Sequence, residues 1–148
     1  MTRMSHRLLR HGLLLFFLGL VTGFAVPAMV NPRAGLAGHV EGLMNGMFLV
    51  VVGLAWPALR LSERTGGVVS WLLLFGAYAN WVATTASGIL GTSKGTPIAG
   101  AGFSAGTLAE NTVFGVLVLV GLSMTTACGT LVLRAWRPKP PAPPRPRP

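Results

Sequence analysis

One histidine lies in a predominantly apolar stretch of this sequence and offers the most varied chemistry. His39 stands there, whereas His6 and His11 belong to a basic segment near the N-terminus. A lone histidine in an apolar helix either donates a hydrogen bond in packing or binds a metal or haem iron. Because no second histidine shares this environment, an iron bound to His39 is expected to keep its sixth position open. An open position suits substrate chemistry better than electron transfer.

Other polar side chains are predicted to lie in the same half of the bilayer as His39. Asn80, Thr84 and Ser87 follow i, i+4, i+7 spacing and share one helix face, while Tyr78 lies on another face. Polar groups inside a membrane usually face the interior of a bundle, so this set predicts a polar pocket. The alternative is packing, in which Ser and Thr bond to their own helix and Asn joins helices. The predicted set is Asn45, Asn80, Thr84, Ser87 and Asn111.

Glycines repeat every four residues around His39 and leave one helix face without side chains. They are Gly38, Gly42 and Gly46. One explanation is close helix packing of the GxxxG kind. The other is a flat cofactor lying against the bare face, with His39 beside it and Gly42 and Gly46 in contact with it. The spacing alone leaves both open.

The composition indicates that these residues are carried by membrane-spanning helices. Of 148 residues, 51% are hydrophobic, 12 are basic and 3 are acidic, which excludes a disordered chain and argues against an ordinary soluble domain. Long uncharged stretches predict an all-α, integral membrane four-helix bundle. We expect a basic leader over 1–9 and a Pro-rich tail over 137–148. The predicted helices cover about 10–30, 36–60, 67–91 and 108–136.

The positions of the basic residues predict the orientation of the bundle. Ten of the twelve fall on one side of the predicted helices, and only Arg33 and Lys94 fall on the other. This bias predicts that both termini are cytoplasmic, in a bacterial-type inner membrane. The positive charge is therefore explained by topology and contact with the lipid bilayer, and we expect no nucleic-acid partner.

The acidic residues allow local interpretations. Glu41 is expected near the membrane interface, where it is able to pair with Arg33. Thr107 and Glu110 match a capping box at the start of the fourth helix. The Gly- and Ala-rich segment 95–109 is predicted to be a loop that folds back onto the bundle.

Three short segments resemble the hydroxylaminobenzene mutase family. They are Gly38–Phe48 (GHVEGLMNGMF), Ala77–Trp81 (AYANW) and Thr96–Gly102 (TPIAGAG). The family is related to the membrane-bound styrene oxide isomerases, so the resemblance implies a small four-helix protein that forms a homotrimer with haem b between subunits. It covers nearly everything except the leader and the tail.

The resemblance also implies roles for individual residues. His39 matches the haem-ligating histidine, and Asn45 and Asn80 match polar active-site residues. Thr84 stands where the isomerases have an active-site tyrosine, and Gly76 stands where they have an aspartate. These two departures favour the mutase branch and leave the implied haem site intact.

The activity implied is rearrangement of an arylhydroxylamine to a 2-aminophenol, in the context of nitroarene degradation. Haem iron is expected to act as a Lewis acid, with Asn45 and Asn80 orienting a small aromatic substrate and Tyr78 or Thr84 relaying a proton. One alternative is epoxide-to-aldehyde isomerisation of the styrene oxide type. The others are a small multidrug-type transporter that uses Glu41 and a haem-bearing electron-transfer subunit.

Overall fold

Four long helices form the part of the chain that the computed structural model describes, residues 2–136. All four are long and apolar enough to cross a membrane, and these residues contain no strand. The all-helical, four-span prediction is therefore confirmed, while the predicted Pro-rich tail lies outside the described residues. The helices are α1 (Arg3–Ala25), α2 (Pro32–Ala55), α3 (Glu63–Leu90) and α4 (Thr107–Ala135).

Helix α1 begins earlier than the sequence indicated, so most of the basic leader belongs to the first turns of this helix. The Thr2 side chain caps α1 by accepting a hydrogen bond from the Ser5 backbone N–H. The Ser5 hydroxyl is buried and donates to the Gly53 carbonyl of α2 at 2.6 Å. A cap and a cross-helix bond together extend the helix toward the N-terminus despite its arginines.

Short side-chain caps fix the starts of the next two helices. Asn31 accepts from the backbone N–H groups of Arg33 and Ala34 at the start of α2. Ser62 does the same for Thr65 at the start of α3. Helix α3 is capped at its C-terminal end by Gly91, whose φ of 70° is a left-handed conformation that favours glycine.

The helices pack in sequence, α1 on α2, α2 on α3 and α3 on α4. Leu8, Leu15, Leu49 and Leu73 are fully buried where the first three helices meet. The Trp81 indole N–H also donates to the Thr22 hydroxyl at 3.0 Å and so ties α3 to α1. Helix α4 packs mainly on α3 and is the least buried of the four, so the first three helices form the inner part of the bundle.

The segment between α3 and α4 is a loop that folds onto one end of the bundle, as predicted. Glu110 holds it by accepting from the backbone N–H groups of Ser93, Lys94 and Ala105. The proposed capping box is wrong, because α4 is capped by Gly106 and the Glu110 carboxylate is used by the loop. Thr107 is the first helical residue, one position later than a capping box needs.

Arg33 and Asn31 join the loop to the start of α2. The Asn31 side-chain amide donates to the Ala99 carbonyl at 2.8 Å, and the Arg33 guanidinium donates to the Ala101 carbonyl. The expected pairing of Arg33 with Glu41 is therefore absent in the described chain. Arg33 lies in the first turn of α2 and donates its hydrogen bond to the loop instead.

Candidate functional site

A carboxylate and two side-chain amides meet between α2 and α3. One oxygen of Glu41, Oε2, accepts a hydrogen bond from Asn45 Nδ2 at 3.0 Å and another from Asn80 Nδ2 at 2.6 Å. Glu41 and Asn45 are one turn apart on α2, so their side chains share a face. Asn80 reaches them from α3. We call these three residues the amide cluster, and all three are half-buried.

The amide cluster lies well inside the span and not at its edge. Glu41 follows Pro32, the first residue of α2, by nine residues, which is about 13 Å along the helix axis. Asn80 precedes Leu90, the last residue of α3, by ten residues, or about 15 Å. These two helix ends are neighbours, because the Asn31 backbone N–H donates to the Gly88 carbonyl at 2.9 Å.

Glu41 is the member of this site that sequence analysis missed. It was expected near the interface, but its depth and its two amide partners place it inside the bundle. An ionisable side chain in a membrane is expensive unless it is partnered, and such residues often mark functional sites. The i, i+4 spacing of Glu41 and Asn45 was the available signal. It predicts their contact, although it does not reveal Asn80 as the shared third partner.

His39 lies on another side of α2 and faces α1. Its Nδ1 is 2.8 Å from the Gly19 carbonyl oxygen, which is able only to accept, so Nδ1 carries the proton. The ring fits against Gly23, where an added Cβ would lie 2.8 Å from Nδ1. The hydrogen bond fixes the tautomer that leaves the lone pair on Nε2, and no residue from 2 to 136 bonds that atom.

Gly42 and Gly46 are covered by α1, which leaves no room for a flat cofactor on the glycine face. A Cβ on Gly42 would lie 2.5 Å from the Gly19 Cα, and one on Gly46 would lie 2.5 Å from the Phe16 backbone nitrogen. The packing explanation for these glycines therefore holds. The interpretation of Gly42 and Gly46 as cofactor contacts does not fit this fold.

Neither candidate proton relay bonds to a side chain of the amide cluster. The Tyr78 hydroxyl donates to the His11 carbonyl at 3.3 Å and lies 3.2 Å from His11 Nδ1. The Thr84 hydroxyl bonds back to the Asn80 carbonyl at 2.7 Å. Thr84 therefore lies next to the cluster along α3, but its hydroxyl donates to a backbone carbonyl of its own helix.

The remaining polar residues of the predicted set do not join the cluster. Ser87 bonds back to the Ala83 carbonyl and accepts from Thr92. Asn111 accepts from the Lys94 ammonium group at 2.6 Å on the exposed start of α4. The polar residues that the structure does bring together are Asn45 and Asn80, joined by Glu41.

The fold and this site define a class of protein: a small multi-pass membrane protein with a partnered carboxylate and amides inside an apolar bundle. Residues 4–136 match the family model described as styrene oxide isomerase, and the chain belongs to that family. The match covers all four helices and agrees with the resemblance noted from the sequence.

Two relatives of known name are similar to this chain over most of its length. Hydroxylaminobenzene mutase HabB of Ectopseudomonas oleovorans is 41% identical over 126 residues, which cover 84% of this chain and 77% of the relative. Hydroxylaminobenzene mutase HabA of the same organism is 45% identical over 97 residues, which cover 65% of this chain and 72% of the relative. These similarities confirm the expectation that the chain is an enzyme of the isomerase class.

Proposed function

We propose that this chain rearranges an arylhydroxylamine, such as hydroxylaminobenzene, to a 2-aminophenol in a bacterial-type inner membrane. The similarity to two hydroxylaminobenzene mutases supports this substrate class. The observation that carries the proposal is the amide cluster, where Asn45 and Asn80 are held about half-way across an apolar bundle. Small aromatic hydroxylamines, as products of nitroarene reduction, are apolar enough to partition into lipid.

The reaction is an isomerisation and needs no second substrate. The N–O bond breaks, a C–O bond forms at the ortho carbon, the ortho hydrogen leaves as a proton and the nitrogen gains one. Asn45 and Asn80 hydrogen-bond the hydroxylamine group and hold its oxygen near the ring, which is a positioning effect. The apolar bundle keeps water from the developing positive charge, which water would otherwise capture at the para carbon.

The chemistry of His39 fits a residue that would hold the iron of haem b. Its Nδ1–H is bound by the Gly19 carbonyl, and an outer partner of this kind is typical of metal-bound histidines. No group of three or more His, Cys, Asp or Glu that suits a bare metal ion occurs in residues 2–136, whereas a haem needs only one axial histidine. When bound, haem supplies a Lewis-acidic iron that is able to polarise an N–O bond.

A homotrimer with haem between subunits is part of this proposal. Within one chain, His39 faces α1 and the amide cluster faces α3. Contact between copies would allow His39 of one copy to act with the amide cluster of another. It would also cover exposed apolar residues of α2 such as Met44 and Met47.

The test is the visible absorption spectrum of the detergent-purified protein, wild type beside His39→Ala. We expect a Soret band in the wild type and its loss or shift in His39→Ala, with His6→Ala as the matched control because His6 is exposed at the start of α1. Absence of the band after haem is supplied during expression would overturn the haem assignment.

The reaction is tested separately by adding hydroxylaminobenzene and analysing the products. We expect 2-aminophenol from the wild type. The second candidate is isomerisation of styrene oxide to an aldehyde, which the family match favours. A wild type that converts styrene oxide and leaves hydroxylaminobenzene unchanged would replace the first proposal by the second.

A further inference from the structure

We infer that Glu41 is a positioning residue that orients both amides of the site and so makes the site prefer hydroxylamines over epoxides. The inference rests on the proposed function, since it concerns the substrate preference of the same site. It adds a residue for which the sequence analysis predicted no role in this reaction and assigns that residue a distinct task.

The hydrogen bonds determine which way each amide points. Glu41 Oε2 is shared by Asn45 Nδ2 at 3.0 Å and Asn80 Nδ2 at 2.6 Å. A carboxylate offers only acceptors, so each amide must turn its NH2 group toward Glu41. The carbonyl oxygen Oδ1 is on the other branch of each amide. Among residues 2–136, neither Oδ1 has a hydrogen-bond partner.

Two free carbonyl oxygens are able to bind a hydroxylamine through hydrogen bonds but are not able to bind an epoxide in this way. A hydroxylamine carries N–H and O–H donors, and both are able to bond to amide oxygens. An epoxide oxygen is only an acceptor, so it leaves these oxygens unpaired. Sites built to bond a substrate's OH or NH reject analogues that lack it, because polar groups are then left without partners.

Replacing the carboxylate by an amide of the same shape removes this constraint. In Glu41→Gln, the new side chain is able to accept from Asn45 and Asn80 as before, or to turn and donate to their Oδ1 atoms. Both amide orientations then become accessible. The substitution changes little volume, so it alters the orientation of the amides more than the packing of α2 on α3.

The experiment compares hydroxylaminobenzene and styrene oxide as substrates of the wild type, Glu41→Gln and Ser123→Ala. Ser123→Ala is the control, because it removes a different interhelical hydrogen bond, from the Ser123 hydroxyl to the Leu72 carbonyl. We expect Glu41→Gln to lower kcat/KM for hydroxylaminobenzene about tenfold, without a matching fall for styrene oxide. In Ser123→Ala, the ratio of the two kcat/KM values stays at the wild-type value.

A binding measurement keeps the inference separate from the proposed function. The donor ligand is 2,6-dimethylphenylhydroxylamine, whose ortho carbons are blocked, and the acceptor ligand is styrene oxide. Ligand-induced thermal shifts should favour the donor ligand in the wild type and lose that preference in Glu41→Gln. If the wild type produces no 2-aminophenol, the proposed reaction fails, and this binding ratio alone decides the role of Glu41.

An unchanged preference in correctly folded Glu41→Gln would overturn the inference, whatever its absolute activity. Folding is checked by gel filtration and thermal unfolding in the same detergent. If Glu41→Gln does not fold, Glu41→Asp serves as the second variant, since its shorter side chain draws the carboxylate away from both amide NH2 groups. It should also lose the preference for the donor ligand, and retention of that preference would count against the proposed amide orientation.

Discussion

The glycines of α1 and α2 differ from those of α4 in what surrounds them. Gly12, Gly19 and Gly46 each face backbone atoms of the neighbouring helix at distances that exclude a Cβ. Around Gly115 and Gly121 of α4, the described chain has nothing within 4 Å of an added Cβ. The same residue type therefore serves close backbone approach in one region and lies on an open face in the other.

This difference separates a closely packed part of the bundle from a part that remains available for contact. The close approach of α1 and α2 holds the His39 ring against α1 and sets the position from which Glu41 reaches α3. Helix α4 instead presents large apolar side chains such as Leu122, which is 63% exposed. In a membrane, that face contacts lipid or another protein surface.

The sharpest test of the comparison is Gly46→Ala, for which we expect the largest loss of stability. The new Cβ would lie 2.5 Å from the Phe16 backbone nitrogen and 2.8 Å from the Gly12 carbonyl oxygen, so α1 and α2 must separate. Overpacking of this kind lowers the free energy of unfolding by about 1–3 kcal/mol. Thermal unfolding in detergent measures it, with Gly115→Ala as control. Equal melting temperatures for the two variants would contradict the tight packing of α1 on α2.

A smaller and more local effect is expected for Gly23→Ala. The added Cβ would meet the His39 ring and not the backbone, so the ring moves and its hydrogen bond to Gly19 is lost. The free energy of unfolding should fall by about 1 kcal/mol. If His39 binds haem, the Soret band should also shift. A stable variant with an unchanged spectrum would show that the ring tolerates displacement.

The smallest effect is expected for Gly121→Ala. This variant tests whether the glycines of α4 do lie on an open face. With open space around the position, the substitution should leave the melting temperature equal to the wild-type value or slightly higher, since Ala is the better helix former. Unfolding should be measured together with the oligomeric mass. A loss of both stability and assembly would show that the α4 face is closed by another copy.

The helices were predictable because the charged residues of this chain lie between long uncharged stretches. Uncharged stretches of membrane length leave few alternatives to four spans, and the structure confirms them. The start of α1 was placed too late, since Arg3, Arg7 and Arg10 indicated a leader, whereas the Thr2 cap and the Ser5 bond to Gly53 extend the helix. Caps and cross-helix bonds depend on neighbours that hydropathy does not describe.

The site was predictable in part. The family motifs pointed to His39, Asn45 and Asn80, and the spacing of Asn80 and Thr84 indicated a shared face. Glu41 was missed because its role depends on a contact across two helices that no local pattern encodes. The glycine face was ambiguous for the same reason: only the position of α1 distinguishes helix packing from a cofactor surface.

The two hydrogen bonds that run from α3 back to α1 limit how much of the bundle is able to form early in synthesis. Trp81 bonds to Thr22, and Tyr78 bonds to His11. Neither bond is able to form until α3 has left the ribosome. Until then, α1 and α2 lack their hydrogen-bond partners on α3. Helix α4 is made last, and it completes the core by adding the fully buried Ala127.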